Sequence, residues 1–505
     1  GIEKSDTEKA LPRINEKAFD SDRKLMTTVH SMADGRIISY TKGSTDELLK
    51  RCTHIRANGI VREITDEDIN SISGVMSEMS FEALRVLSLA VCEGNRDAVE
   101  QGLTFIGMIG MIDPERPEVT ASIRTFKRAG IKTVMITGDH KDTALAIARK
   151  LGIAESPDEC VMGSELSAMT DEELRKRAAG LSIFARVSPE HKVRIVKAIQ
   201  ANNNIASMTG DGVNDAPSLK AADVGVAMGI TGTDVAKGAA DIVLQDDKFT
   251  TIEKAIKEGR NIYENVKKSI LFALSSNISE VVVMFAAIAA GFAAPLKAVH
   301  ILWINLLTDS LPCFALGVDP NSSSDVMNKK PRRNGESIFA NGGYFKVGLY
   351  SAVIALITLI AFLYTPVRAL SEAGTACTLG NIINSFSDRQ ILMQSQTLAF
   401  CTLAISELFH AVGMRDTETS VFRFNHLDNP IMILAVAVGI IGQLAVTELP
   451  FFRKIFSTVR MTGGMWLFVT FLSLMPLVVH EIVILMRKAG RTQTGKPETE
   501  SQKDI

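Results

Sequence analysis

The chain has 505 residues, 57 acidic and 55 basic, leaving a formal net charge of −2 at neutral pH. That balance argues against nucleic acid as the main partner. Its six cysteines (Cys52, Cys92, Cys160, Cys313, Cys377 and Cys401) show no CxxC spacing, which speaks against a zinc or disulfide framework and predicts free thiols. The chain opens at Gly1 in a polar segment without a signal peptide and reads as a piece of a longer protein.

From Lys24 to Tyr40 apolar residues alternate around Ala33-Asp-Gly35, predicting a hairpin with an Asp-Gly turn. Helices are predicted at about Thr45 to Cys52, Asp66 to Met79 and Glu82 to Glu93. Leu103 to Met111, Thr133 to Ile136, Ile183 to Ala185, Ile205 to Met208 and Val224 to Ala227 read as buried parallel strands. Helices separate them at about Val119 to Arg128, Asp142 to Leu151, Pro189 to Ala201 and Ala216 to Ala222. The alternation predicts a doubly wound α/β domain, in which ligands sit beyond the strands' carboxyl ends. Thr137-Gly-Asp139 and Asp211 to Asp215 fall there.

A helical pattern from about Thr251 continues into six apolar spans: Ser269 to Phe292, Leu296 to Val318, Gly343 to Tyr364, Ile391 to Val412, Pro430 to Leu449 and Gly463 to Leu485. An even number returns both ends to one side. Lys329, Lys330, Arg332, Arg333, Arg487, Lys488 and Arg491 assign that side to the cytoplasm, against Arg453, Lys454 and Arg460 opposite. Residues 487–505 are polar and expected to be disordered.

Met208-Thr-Gly-Asp-Gly-Val-Asn-Asp-Ala-Pro217 packs Asp211, Asn214, Asp215 and two glycines between an apolar run and a helical one. Carboxylates beside an amide suit Mg²⁺, and glycines let the backbone approach a phosphate. A simple turn with a helix cap needs neither the second acid nor Asn214. Thr137 offers donors at one strand end, Asp113 an acid at another, and Lys192 a point charge at a helix start. A lone lysine there is ordinarily a solvated surface charge. The placement of the whole set on successive strand ends points to one phosphoryl group.

Thr137-Gly-Asp139, Ala185-Arg-Val-Ser-Pro-Glu-His-Lys192 and Thr209-Gly-Asp-Gly-Val-Asn-Asp-Ala-Pro217 resemble, in sequence and order, the phosphorylation domain of P-type cation-transporting ATPases. The likeness extends over nearly the entire chain. It implies a multi-domain protein: the C-terminal part of a nucleotide-binding domain over 1–102, a haloacid-dehalogenase-like (Rossmann-like) phosphorylation domain over 103–250, a connecting helix over 251–268, and six transmembrane helices over 269–486. It further implies Mg²⁺ on Asp211, Lys192 against the transferred phosphoryl group, and catalytic roles for Thr137, Gly138, Asp139, Asn214 and Asp215. Lys42-Gly-Ser44 resembles the family's Lys-Gly-Ala element in the ATP pocket, so Lys42 and Gly43 join Phe19, Lys24, Arg85 and Arg186 as nucleotide-binding candidates. Animal calcium pumps usually carry Arg two residues after the stacking Phe; Ser21 stands there. The family's Asp-Lys-Thr-Gly nucleophile motif occurs nowhere in the chain. The resemblance therefore implies the C-terminal half of a pump, which needs the N-terminal half in the same or a separate chain and forms no acylphosphate alone.

Within the spans, Asn277 and Glu280 lie three residues apart and are expected to share a helix face. Asn305, Thr308 and Asp309 follow i, i+3, i+4, and Glu407 sits in the fourth span. Carboxylates at bilayer depth cost at least about 2.5 kcal/mol each and are functional by default, whereas Asn and Thr can merely join helices. An all-oxygen set excludes soft metals and leaves Ca²⁺, Na⁺, K⁺ or H⁺. Asn277-Ile-Ser-Glu280 and Trp303-Ile-Asn-Leu-Leu-Thr-Asp309 resemble the ligand-bearing spans of type II, sarcoplasmic-reticulum-like calcium pumps. Sodium–potassium pumps have Asp in place of Asn305, and the Golgi type lacks the Glu280 carboxylate. The implied function is ATP-driven export of Ca²⁺ from the cytosol, two ions per cycle, through an aspartyl phosphate, in a bacterial plasma membrane or a reticulum-type membrane. A Na⁺/K⁺ or H⁺ pump, a membrane-tethered phosphatase and a non-catalytic ion-binding subunit remain as alternatives.

Overall fold

The computed structural model describes residues 4–20, 23–82, 84–111, 116–321, 326–332, 335–340, 342–423 and 425–493. Ser21, Asp113 and Arg333 lie outside the described residues. The chain divides into two compact units, Gly1–Lys254 with Lys330–Asn334, and Ala255–Lys329 with Gly335–Ile505.

The first unit begins with a seven-stranded sheet in the order Arg13–Asp20, Leu25–Ser31, Ile37–Gly43, Arg85–Glu93, Leu103–Met111, Cys52–Ala57, Ile60–Glu63. Neighbours run antiparallel except Cys52–Ala57, which is parallel to Leu103–Met111. The expected hairpin is present, with Gly35 at φ +83° and the Asp34 carboxylate accepting from the Arg36 amide. The helix Asp66–Phe81 starts on a capping box between Thr65 and Asp68.

Two expectations fail in this sheet. Glu82 to Glu93 is not a helix: Arg85–Glu93 is an interior strand, paired on both sides, because its apolar residues satisfy either period and the neighbouring edges decide. Leu103–Met111 is not the first strand of the parallel domain but a member of this sheet, so the sheet extends past residue 102. A short apolar run does not reveal which partners it will find.

The parallel strands follow in two sheets. Met135–Ile136, Ile183–Ala185 and Cys160–Met162 form one, with Ile183–Ala185 in the middle. Ser207–Gly210, Val224–Met228 and Ile242–Leu244 form the other, around Val224–Met228. Helices Pro117–Arg128, Lys141–Leu151, Pro189–Gln200 and Ala216–Ala221 fall where the pattern placed them. Proline at the first helical position starts two of them, and Gly152 in the left-handed region ends Lys141–Leu151. The strands Cys160–Met162 and Ile242–Leu244 were too short to leave a periodic signal.

Among the described residues, six helical spans have membrane-crossing length and apolarity. The first is one unbroken 41-residue helix, Phe249–Ala289, roughly 60 Å long and about twice the hydrocarbon thickness of a bilayer. The second is α-helical over Ala298–Trp303, π-helical over Ile304–Asp309 and α-helical again over Ser310–Gly317. Pro312 explains the wide turn: it has no N–H for the carbonyl of Thr308 and its ring would strike that carbonyl in a regular α-helix. The third and fourth are Gly343–Glu372 and Arg389–Met414, the fifth Pro430–Glu448. The sixth breaks at Leu474, between Gly463–Ser473 and Met475–Gln493, because Pro476 removes a donor there. Residues 487–493, expected to be disordered, continue that last helix.

Arg389–Met414 is the central helix. Within its apolar window 89% of residues are buried, against 50% or less in the other five, so its side chains see protein on every side. Phe400 of this helix stacks on His300 at 4.4 Å, and Phe362, Phe386 and Phe456 close the same core.

Candidate functional site

The functional candidates fall into three clusters. In the first unit, a cleft of about 980 Å³, counted out to open solvent, is lined by Phe19, Lys24, Gly43, Arg85, Gly138, Asp139 and Arg186 among others. Phe19 is 63% exposed at the end of its strand, a bare aromatic face at the mouth. Lys24 adopts a left-handed backbone (φ 56°), and its carbonyl approaches Gly43 so closely that a Cβ there would stand 2.2 Å from it. Glycine at 43 is a packing requirement. Lys42 is exposed and is not among the lining residues, because adjacent strand residues point to opposite faces and Gly43 takes the inward one. Ser44, Asp46, His140, Asp142 and Thr143 also line the cleft. Only their nearness to Gly43 and Asp139 in sequence hinted at them.

The Thr137–Asp139 turn is closed by its own side chains: Thr137 Oγ1 donates to Asp139 Oδ2 and accepts from the Asp139 amide, both at 3.1 Å. The Asp139 carbonyl accepts from Arg186 N, fixing Arg186 at φ 55°. A non-glycine residue in that region carries strain that the surroundings must hold.

In the second cluster, Lys192 Nζ donates to Asp215 Oδ1 at 2.5 Å, with the two side chains only 20% and 10% exposed. The other Asp215 oxygen accepts from the amides of Asp211 and Gly212 at 3.3 and 3.2 Å. Asp215 is thus committed to holding the loop and Lys192, so the expectation that both acids offer themselves to a metal holds in geometry only for Asp211. The Asp211 carboxylate is exposed and makes no hydrogen bond or ion pair among the described residues; Asn214 beside it is exposed too. An unpaired carboxylate at a strand end, with water access and a neighbouring amide, fits Mg²⁺, which keeps several waters and takes one or two protein carboxylates. Among the described residues no hydrogen bond joins Thr137 to Lys192 or Asp211.

The third cluster lies in the spans. Glu280, Thr308, Asp309 and Glu407 are all buried. Asn305 Nδ2 reaches Glu280 Oε2 at 3.4 Å. Glu407 is within electrostatic reach of both Asp309 and Glu280. Among the described residues, five carboxylate oxygens, one on Glu280 and two each on Asp309 and Glu407, meet no hydrogen-bond donor, and the buried Ser276 hydroxyl one turn before Glu280 has no partner. The π-helix alters the expected i, i+3, i+4 face, since its turn is wider than 3.6 residues, and Ser310 Oγ donates 2.7 Å to the carbonyl of Asn305. Asn277 does not join Glu280: it is exposed and its amide donates to the Ala273 carbonyl at 2.7 Å. Ser276 and Ser279, flanking it, take the buried side instead. Among the described residues no three His, Cys, Asp or Glu side chains are gathered tightly enough to hold a metal ion by themselves. A cation here requires neutral oxygens as well.

Residues 1–118 match the family profile "P-type ATPase, cytoplasmic domain N", and residues 293–486 match "Cation transporting ATPase, C-terminus". The chain is 50% identical over 497 residues to Calcium-transporting ATPase 1 of Bacillus cereus, covering 96% of this chain and 55% of that protein. It is 41% identical over 494 residues to the Calcium-transporting ATPase of Bacillus subtilis, covering 97% and 53%. Calcium-transporting ATPase type 2C member 1 of Homo sapiens is 36% identical over 475 residues, covering 93% and 49%. The chain thus spans about half the length of these relatives. It is an integral, multi-pass membrane protein, and it belongs to the P-type cation-transporting ATPases, within the type II group that holds these calcium-transporting relatives.

Proposed function

We propose that the chain is the part of an ATP-driven pump that carries Ca²⁺ out of the cytosol. The observation behind this reading is the set of five unpartnered carboxylate oxygens on Glu280, Asp309 and Glu407, buried among apolar helices. Three buried acids without a counter-charge are costly unless a positive charge joins them. Ca²⁺ takes six to eight oxygens, so Asn305 and Thr308 contribute neutral ones, and water or other segments of the pump supply the rest.

The same reading assigns the cleft to ATP, its base against Phe19 and its phosphates toward Lys24, Arg85 and Arg186. Lys192, held by Asp215, brings positive charge to the transferred phosphoryl group, and Thr137 and Asn214 donate hydrogen bonds to its oxygens. Bound at Asp211, Mg²⁺ would neutralise charge on those oxygens. The carboxylate that accepts the phosphoryl group comes from an Asp-Lys-Thr-Gly segment outside this sequence. Uptake of radiolabelled Ca²⁺ by vesicles containing the pump tests the assignment: Glu280→Gln and Asp309→Asn should each abolish it, and unchanged uptake would remove the cation site from these residues.

A further inference from the structure

Two residues before the helix Phe249–Ala289 begins, Asp247 accepts four hydrogen bonds, three of them from successive backbone amides. Its Oδ1 accepts from the amides of Gly229 (2.6 Å) and Ile230 (3.0 Å), and its Oδ2 from the amide (2.7 Å) and hydroxyl (2.8 Å) of Thr231. Three successive backbone N–H groups form an anion nest that the chain fills with its own carboxylate. These donors, the Ile230 amide foremost and then Thr231 and Gly229, hold the Asp247 carboxyl down at about 2. Asp247 is buried and adopts φ 51°, a strained conformation kept only because the loop is closed on it. The loop has no slack: a Cβ on Gly229 would stand 2.4 Å from the Leu244 carbonyl, and one on Gly232 would stand 2.1 Å from that of Met228.

The loop leads directly to the phosphoryl site. Thr233, the next residue after Gly232, donates its amide to the Asp211 carbonyl at 2.8 Å. Asp246, adjacent to Asp247, faces the other way: it accepts from Lys248 N and from Thr251 Oγ1, in the first turn of the long helix. Arg116 donates to the Asp247 carbonyl at 3.0 Å. We infer that Asp247 is a positioning residue for the phosphoryl-transfer site: it locks the 229–232 loop, which through Thr233 sets the backbone from which the Asp211 carboxylate projects. With Asp246 it ties that loop to the start of the helix that carries Glu280.

The inference rests on the reading of Asp211 as the Mg²⁺ ligand, and the test separates the two. Phosphorylation of the pump in membranes by inorganic phosphate is titrated with Mg²⁺. Outer residues that orient a metal ligand typically change metal affinity about 10- to 100-fold when removed. Asp247→Ala should therefore raise the half-saturating Mg²⁺ about tenfold or more, and Thr231→Val, which keeps every backbone bond, less than about threefold. A merely structural role would lower thermal stability and leave half-saturation where it was. If Asp247→Ala does not fold, Asp247→Asn keeps an acceptor for Gly229 and Ile230 and should give an intermediate shift; half-saturation unchanged in the folded variant overturns the inference. Should Asp211→Asn shift the Mg²⁺ response while the Asp247 variants do not, the reading of Asp211 stands and the inference falls. Should neither shift it, both fall.

Discussion

Gly210 offers the sharpest test of how the Lys192–Asp215 pair is held. A Cβ built there would stand 2.4 Å from Asp215 Cβ and 2.7 Å from its Cγ, and neither atom is at the free end of a flexible chain. Ordinary carbon contacts lie near 3.5–4.0 Å, so Gly210→Ala must displace Asp215 by about 1 Å. That displacement breaks the 2.5 Å contact to Lys192 and loosens the bonds from the Asp211 and Gly212 amides. Loss of one charge-assisted bond is worth about 1.5–3 kcal/mol and overpacking about 1–3 kcal/mol, giving a penalty of about 2.5 kcal/mol at the lower end. For a unit of this size that lowers the thermal midpoint by roughly 5–10 °C. The proof is a double-mutant cycle followed by thermal unfolding: in an Asp215→Gly background the Cβ and Cγ that crowd Gly210 are gone, so Gly210→Ala should cost far less there. Additive effects of the two substitutions would refute the steric argument.

Three other outcomes follow from the geometry. Arg415 Nε donates 2.7 Å to Asp319 Oδ2, with both side chains almost wholly buried and Asn429 on the same oxygen, so Arg415→Ala should destabilise the helical unit by about 3 kcal/mol or more, seen as earlier thermal exposure of the buried Cys401 thiol in detergent. Phe19→Ala should weaken binding of ATP roughly tenfold in a fluorescence titration, the loss expected for one base–aromatic stack of about 1–3 kcal/mol. Burial pushes the Cys52 thiol up to about 12, from an ordinary value of 9.0. A raised folded-state value means the neutral thiol's contribution is complete below the unfolded value and declines as pH rises from about 9 toward 12. Mass analysis after alkylation at pH 8 should therefore find the exposed Cys377 modified and Cys52 intact.

The sequence was most legible where one residue type has few alternatives. Proline at a helix start, glycine in a tight approach and a carboxylate in an apolar span each admit a short list of environments, and Pro189, Gly43 and Glu407 sit in the ones expected. Legibility failed where partners decide. Arg85–Glu93 became a strand because Ile37–Gly43 and Leu103–Met111 flank it, which no local pattern encodes. The surroundings of Lys42 and Asp215 were hidden for a related reason: strand alternation turns Lys42 outward, and Lys192 engages Asp215. Asp247 drew no notice at all, since an acid between a short strand and a helix looks like a cap until the three amides of residues 229–231 are seen to face it.

The cation cluster joins both kinds of case. Its acids were evident from composition, but their arrangement depends on Pro312, three residues beyond Asp309, which makes the second span a π-helix where Asn305, Thr308 and Asp309 sit. The Ser310 hydroxyl donates to the carbonyl of Asn305 across this wider turn. The five bare carboxylate oxygens then set an energetic condition. A protein's whole stability is about 5–15 kcal/mol, and an uncompensated buried charge costs several, so Glu280, Asp309 and Glu407 cannot all remain ionised without a counter-charge. Protons or a cation must supply it, and exchange of one for the other is open to a site built from carboxyls and neutral oxygens, whereas a built-in lysine or arginine would have closed it. That neither Lys nor Arg lies within Asn277 to Glu280, Trp303 to Asp309 or Leu398 to Val412 is the sequence feature that, with the buried acids, sets the cluster apart from a structural ion pair.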